Sequence, residues 1–157
     1  MHRAPELRPL SREHNEALWL AREARRSGSD GDAQAVDAAW NRLRSAYAHE
    51  LEAHFAAEEA LLFPHLRRHG RADLAGRLLR EHDAIRRTLR RTDDLSAQRL
   101  RVLGEVLERH VRREEREAFP LLENALGAAE LTAIEAALAS RSATSGDARA
   151  PVDDRPR

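Results

Sequence analysis

The chain has no cysteine and no lysine among its 157 residues. Without thiols there can be no disulfide, no thiolate zinc or iron–sulfur site and no cysteine nucleophile. Any metal must therefore be held by His, Asp or Glu. Arginine supplies all 27 basic side chains, and 27 acidic ones balance them to a formal net charge of zero. A balanced chain creates no strong field for nucleic acid or an anionic membrane, so neither is expected as a partner. Paired arginines such as Arg67-Arg68 and Arg86-Arg87 are interspersed with acids and read as solvated helix faces. No apolar run approaches the roughly 18 residues of a membrane span. The opening Met1-His2-Arg3-Ala4-Pro5 lacks the apolar stretch of a secretory signal, and a cytoplasmic protein is the expectation.

What the chain does have is helical periodicity, and no segment alternates as a strand would. Ser11 is placed to cap a first helix running to about Arg26, where Ser27-Gly28-Ser29-Asp30-Gly31 should break it. A long second helix starts near Asp32. Pro64 should kink or end it, since proline donates no hydrogen bond, and Gly70 closes that stretch. A third helix is expected over 72–92 and a fourth from about Ala97 past Pro120 to near Gly127. A short fifth helix, about 129–140, carries Leu131, Ile134 and Leu138 on one side. The fold class is all-α: an antiparallel up-down four-helix bundle over residues 1–140 with a short fifth C-terminal helix. Residues 141–157 turn to Ser, Thr, Gly, Asp and Pro, which predicts a disordered tail.

Two segments repeat one pattern. His54-Phe55-Ala56-Ala57-Glu58-Glu59 with Phe63-Pro64 returns as His110-Val111-Arg112-Arg113-Glu114-Glu115 with Phe119-Pro120. A histidine and a glutamate four residues apart share a helix face, and imidazole with carboxylate suits iron, manganese or zinc. Arg12-Glu13-His14-Asn15 likewise returns as Arg80-Glu81-His82-Asp83, as though one helix pair had been duplicated. Each of these histidines falls on an apolar seam. The fourth seam reads Leu100, Leu103, Leu107, His110, Glu114, Glu117, Leu121; the second reads Trp40, Leu43, Tyr47, Leu51, His54, Glu58, Leu61. The third is Leu78, His82, Ile85, Leu89 and the first Leu10, His14, Leu18, Ala21. Glu115 points about 100° away from Glu114, onto a flank.

The candidate metal ligands are thus His14, His54, Glu58, His82, His110 and Glu114. Two carboxylates buried beside four imidazoles are hard to tolerate without cations. Chain arithmetic puts Glu58, His82 and His110 at matching depths, whereas His54 lies about two helical turns too far from the first connection to meet His14. His65 would reach the site only if the helix continued past Pro64. The repeated Phe-Pro reads as a shared helix ending, and Trp40, Phe55, Phe63 and Phe119 as core.

Over residues 10–125 the motifs REHNEAL at His14, HFAAEEALLFPHL at His54, REHDAI at His82 and HVRREEREAFPLL at His110 resemble the hemerythrin-like (HHE cation-binding) family. The resemblance implies two iron ions, non-haem and oxo- or hydroxo-bridged, with manganese or zinc as alternatives. In that pattern the four histidines are terminal ligands and Glu58 and Glu114 bridge. Oxygen-carrying members place a further histidine where this chain has Leu78, and a bridging acid five residues after the last histidine, which would select Glu115. The seam selects Glu114. With six protein ligands, each iron keeps free positions. The function implied is that of a di-iron protein that binds or senses oxygen, nitric oxide or peroxide. The alternatives are a di-iron enzyme of ferrous iron oxidation or peroxide breakdown, and a metal-free helical interaction module.

Overall fold

The computed structural model describes residues 3–30 and 32–147. A 3-10 turn, Pro5–Leu7, leads into α1 (Arg8–Asp30). The second arm is composite: α2 (Ala33–Ala46), a π-helical turn Tyr47–Leu51, α3 (Glu52–Leu61) and, past a kink at Leu62, α4 (Phe63–Arg68). The third arm is α5 (Ala72–Arg90). The fourth is α6 (Ala97–Arg113), a second π-helical turn Glu114–Ala118 and α7 (Phe119–Ala125), and α8 (Ala128–Asp147) comes last. No strand occurs among the described residues, and no helix is long and apolar enough to cross a membrane. The all-α bundle with an added C-terminal helix is as expected.

Local chemistry accounts for most boundaries. Asp32 accepts the Gln34 amide at 2.9 Å and caps α2, and Ser96 accepts that of Arg99 at 3.3 Å to cap α6. Gly70, at φ +77°, ends α4 while the Arg71 amide returns to the Leu66 carbonyl at 2.8 Å, a turn that needs a left-handed residue. The first helix departs from expectation at both ends. It begins at Arg8, with Pro9 in its first turn where a missing N–H is harmless. Ser11 is therefore inside it and caps nothing; its hydroxyl donates to Glu115 at 2.7 Å. At the other end α1 continues through Gly28 to Asp30. A Cβ on Gly28 would stand 2.5 Å from the Ala97 carbonyl oxygen, and one on Gly104 would stand 2.6 Å from that of Ala21. Both glycines let α1 and α6 pack backbone to backbone, so Gly28 acts here as a contact residue and not as a helix stop.

The seams hold as read except at a few positions, the largest departure following the second π turn. A π turn holds an extra residue and rotates the helix beyond it. Past Glu114 the buried positions are Ala118 and Leu122, not Glu117 and Leu121, and Glu117 is exposed. In the second arm the kink buries Leu62 in place of Leu61, and in α1 Ala17 is buried in place of Leu18. The longer α1 and the extra residue stored in Tyr47–Leu51 take up part of the predicted mismatch between the levels of His14 and His54. The last helix runs seven residues past Ser140 to Asp147; the remainder of the predicted tail, 148–157, lies outside the described residues.

The core is divided. One apolar cluster gathers Ala21, Trp40, Leu43, Phe55, Ile85, Leu103 and Leu107. A second gathers Leu7, Leu10, Leu62, Phe63, Leu78, Phe119 and Leu122, closed by Ile134 and Leu138 of α8. Between them the four arms bury a layer of polar side chains, His14, His54, Glu58, His82, His110 and Glu114.

Candidate metal centre

All six sequence-predicted ligands converge in that layer. His14, His54, His82, His110, Glu58 and Glu114 are each at most 3% exposed. Their donor atoms form two groups, each with all atoms within 4.8 Å of one another: His14, His54, Glu58 and Glu114; and His82, His110, Glu58 and Glu114. Both carboxylates belong to both groups. Glu58 Oε1 lies 3.4 Å from His14 Nε2 and 3.2 Å from His54 Nε2, while its Oε2 lies 3.3 Å from His82 Nε2. Glu114 Oε2 lies 3.1 Å from His14 Nε2 and 3.2 Å from His110 Nε2. Glu58 and Glu114 follow His54 and His110 by one helical turn, which is why each shares its histidine's face.

The outer edges of the rings decide their tautomers. His14 Nδ1 meets Glu115 at 2.7 Å, His54 Nδ1 meets Glu13 at 2.6 Å, His82 Nδ1 meets Glu59 at 2.8 Å and His110 Nδ1 meets Glu81 at 3.1 Å. A carboxylate only accepts, so the ring proton sits on Nδ1 and the Nε2 lone pair faces inward. Four inward lone pairs then face two carboxylates. His82 Nε2 and His110 Nε2 stand 3.0 Å apart. Neither Glu58 nor Glu114 has a hydrogen-bond partner for any of its oxygens, and His14 Nε2 has none. Such unmet groups at this depth cost several kcal/mol unless positive charge occupies the centre. The donor set is compatible with cation binding, since each pair of histidines shares both glutamates.

The electrostatics agree. Burial pushes the Glu58 carboxyl up, yet the surrounding imidazoles hold it well below the usual range. Burial and the Glu58 charge both push Glu114 up, and His110 and His14 bring it down. Burial works against a charged His110, but Glu114 and Glu81 raise it to about 9. Protons on the imidazoles are the alternative to metal for neutralising the same cluster.

The profile of the hemerythrin HHE cation-binding domain matches residues 5–122, three quarters of the chain. This chain belongs to that family. No curated protein and no solved structure matches it. Its helical bundle and buried His/Glu cluster are compatible with the cation binding that the family is named for.

Within this HHE domain the rival acids are separated by geometry. Glu114 turns into the cluster, while Glu115 stays on the flank, 28% exposed, bonded to His14. Leu78, where oxygen carriers have a histidine, is fully buried among apolar neighbours. His65 faces Glu130 of α8 at 3.7 Å and takes no part. The Phe-Pro repeat proves to be more than a shared helix ending. Phe119 stacks on His14 with ring centroids 5.2 Å apart, and Phe63 stacks on His82 at 5.4 Å. Phe55 covers His82 from its other side at 4.0 Å. These rings pack nearly parallel to the imidazole planes.

Sequence reasoning passed over the outer glutamates Glu13 and Glu59 and did not give Glu81 and Glu115 this role. The signal was present: each stands beside a ligand in the duplicated motifs, as REH or as EE. Each is also paired with an arginine: Glu13 with Arg141, Glu59 with Arg86, Glu81 with Arg113 and Glu115 with Arg3. The guanidinium holds the carboxylate charged, and the carboxylate orients the imidazole.

Proposed function

We propose that this HHE domain is a non-haem di-iron protein that binds or senses oxygen, nitric oxide or peroxide. The observation that carries the reading is the sharing of Glu58 and Glu114 by two separate histidine pairs. Each cation would then have four protein donors, fewer than iron commonly takes, and positions would be left for a ligand. Iron would supply the redox and ligand-binding chemistry. The chain's own residues orient the imidazoles through Nδ1, balance charge with two carboxylates and wall the centre with Phe55, Phe63 and Phe119. Their depth supports a ligand of a few atoms in preference to a bulky substrate.

Anaerobic loading with ferrous iron, then metal analysis and an absorption spectrum in air, tests this. Two irons per chain and the near-ultraviolet band of a bridged ferric pair are expected. Clearly fewer than two irons would sink the reading. Sustained turnover of ferrous iron or peroxide, instead of stoichiometric binding, would favour the enzyme.

A further inference from the structure

The duplication that builds the centre is incomplete in its outer sphere. In the later helix pair both cations lie inside the repeat: Arg86, four residues after His82, holds Glu59 at 2.6 Å, and Arg113, three residues after His110, pairs with Glu81. The equivalent positions of the earlier pair are Leu18, four after His14, and Ala57, three after His54. Neither can pair with a carboxylate. Yet Glu115 and Glu13, the counterparts of Glu59 and Glu81, are not left without a cation. Arg3, from the segment before α1, reaches Glu115 Oε2 at 2.6 Å and also meets Glu123 at 2.9 Å. Arg141, from α8, reaches Glu13 Oε1 at 2.9 Å and Oε2 at 3.2 Å. Arg141 lies beyond the family-matched residues 5–122, and Arg3 lies before them.

We infer that two arginines flanking the family-matched residues, Arg3 and Arg141, complete one half of the metal centre. Arg3 and Arg141 position Glu115 and Glu13, and through them the ligands His14 and His54. The inference rests on the di-iron reading. It makes the two cations inequivalent: the His82/His110 position is supported entirely by the bundle, whereas the His14/His54 position depends on a short N-terminal segment and on α8. α8 docks on the arms through Leu131, Ile134, Leu138, the pairs of Glu130 with His65 and Arg68, and Arg141, and on this proposal it opens locally while the four arms stay folded. Such opening would free Glu13 and loosen His54, and thereby make one cation exchangeable while its neighbour stays held. Arg3 and Arg141 are positioning residues, since neither touches the ligand donor atoms.

The test uses the full chain loaded anaerobically with ferrous iron, and monitors release of the metal to a chelator. Wild type should hold two ions. Arg141→Ala and Arg3→Ala should each release one ion about 10–100-fold faster, the usual effect of removing an outer partner, and leave the other unchanged. Combining them should still leave one slow ion, whereas Arg141→Ala with Arg113→Ala should leave none. Arg141→Lys should restore slow release, and far-ultraviolet circular dichroism should report an intact bundle throughout. If wild type holds two ions and the Arg141 and Arg3 variants release both equally, or neither faster, the inference is overturned and the di-iron reading stands. A wild type that holds fewer than two overturns both.

Discussion

A buried histidine of this cluster has two jobs on two edges of one ring, and the chain assigns a different glutamate to each. Inward, Nε2 faces Glu58 or Glu114; outward, Nδ1 donates to Glu13, Glu59, Glu81 or Glu115. The arrangement predicts opposite pH responses for the empty and loaded protein. His110 is raised to about 9 against burial by Glu114 and Glu81, so in chelated protein its contribution to stability is full below about pH 6.5 and fades as pH rises through 9. Metal binding needs the same ring deprotonated, so affinity should climb over that interval. Thermal melts with and without chelator between pH 6.5 and 9 should therefore diverge, and parallel curves would contradict the assignment. Glu58→Gln removes a charge shared by both donor groups and should lower the metal content of both positions, unlike Arg3→Ala or Arg141→Ala, which should touch only one. At this scale the six inner residues were legible because spacing and seam coincide. The outer four were not, because which carboxylate meets which Nδ1 is decided across helices.

Helix geometry rather than helix content sets the centre. Two π turns, Tyr47–Leu51 just before His54 and Glu114–Ala118 beginning at Glu114, lie at the buried cluster in the second and fourth arms, and π turns are frequent at functional sites. The second rotates Phe119 onto His14 and hands the seam from Glu117 to Ala118. A 3.6-residue template cannot register such a turn, and that is why the downstream seam was misread by one position. The glycines divide in the same way. Gly104→Ala would press a methyl against the Ala21 carbonyl oxygen at 2.6 Å and should cost about 1–3 kcal/mol by urea unfolding. Gly76→Ala in α5 meets nothing nearer than an Arg80 nitrogen at 3.5 Å and should stabilise by up to about 1 kcal/mol. Equal effects at both sites would refute the close α1–α6 approach.

Across the whole molecule, the polar layer splits one core into two apolar clusters, so neither cluster can fill the gap between them. Metal occupancy should then be a stability term. Saturation at about 1,000 times the dissociation constant adds about 4 kcal/mol per site, on the order of 10 °C in melting temperature for a chain of this length. Calorimetry of chelated and loaded protein measures it, and unchanged melting on loading would mean that the layer does not hold cations. α8 enters at this scale too. It closes the second cluster with Ile134 and Leu138 and lends Arg141 to Glu13, which connects α8 through Glu13 to His54.

The amino-acid order alone determined the all-α bundle, the duplicated helix pair and the six inner donors. Those properties are written in local periodicity, where one side chain in each turn must face inward. Only the tertiary structure decided how far α1 extends, where the π turns rotate the seams, that Phe63 and Phe119 cover imidazoles, and which arginine serves which glutamate. Each of these depends on contact between segments distant in the chain, and the energy of such a contact exists only once the arms are packed.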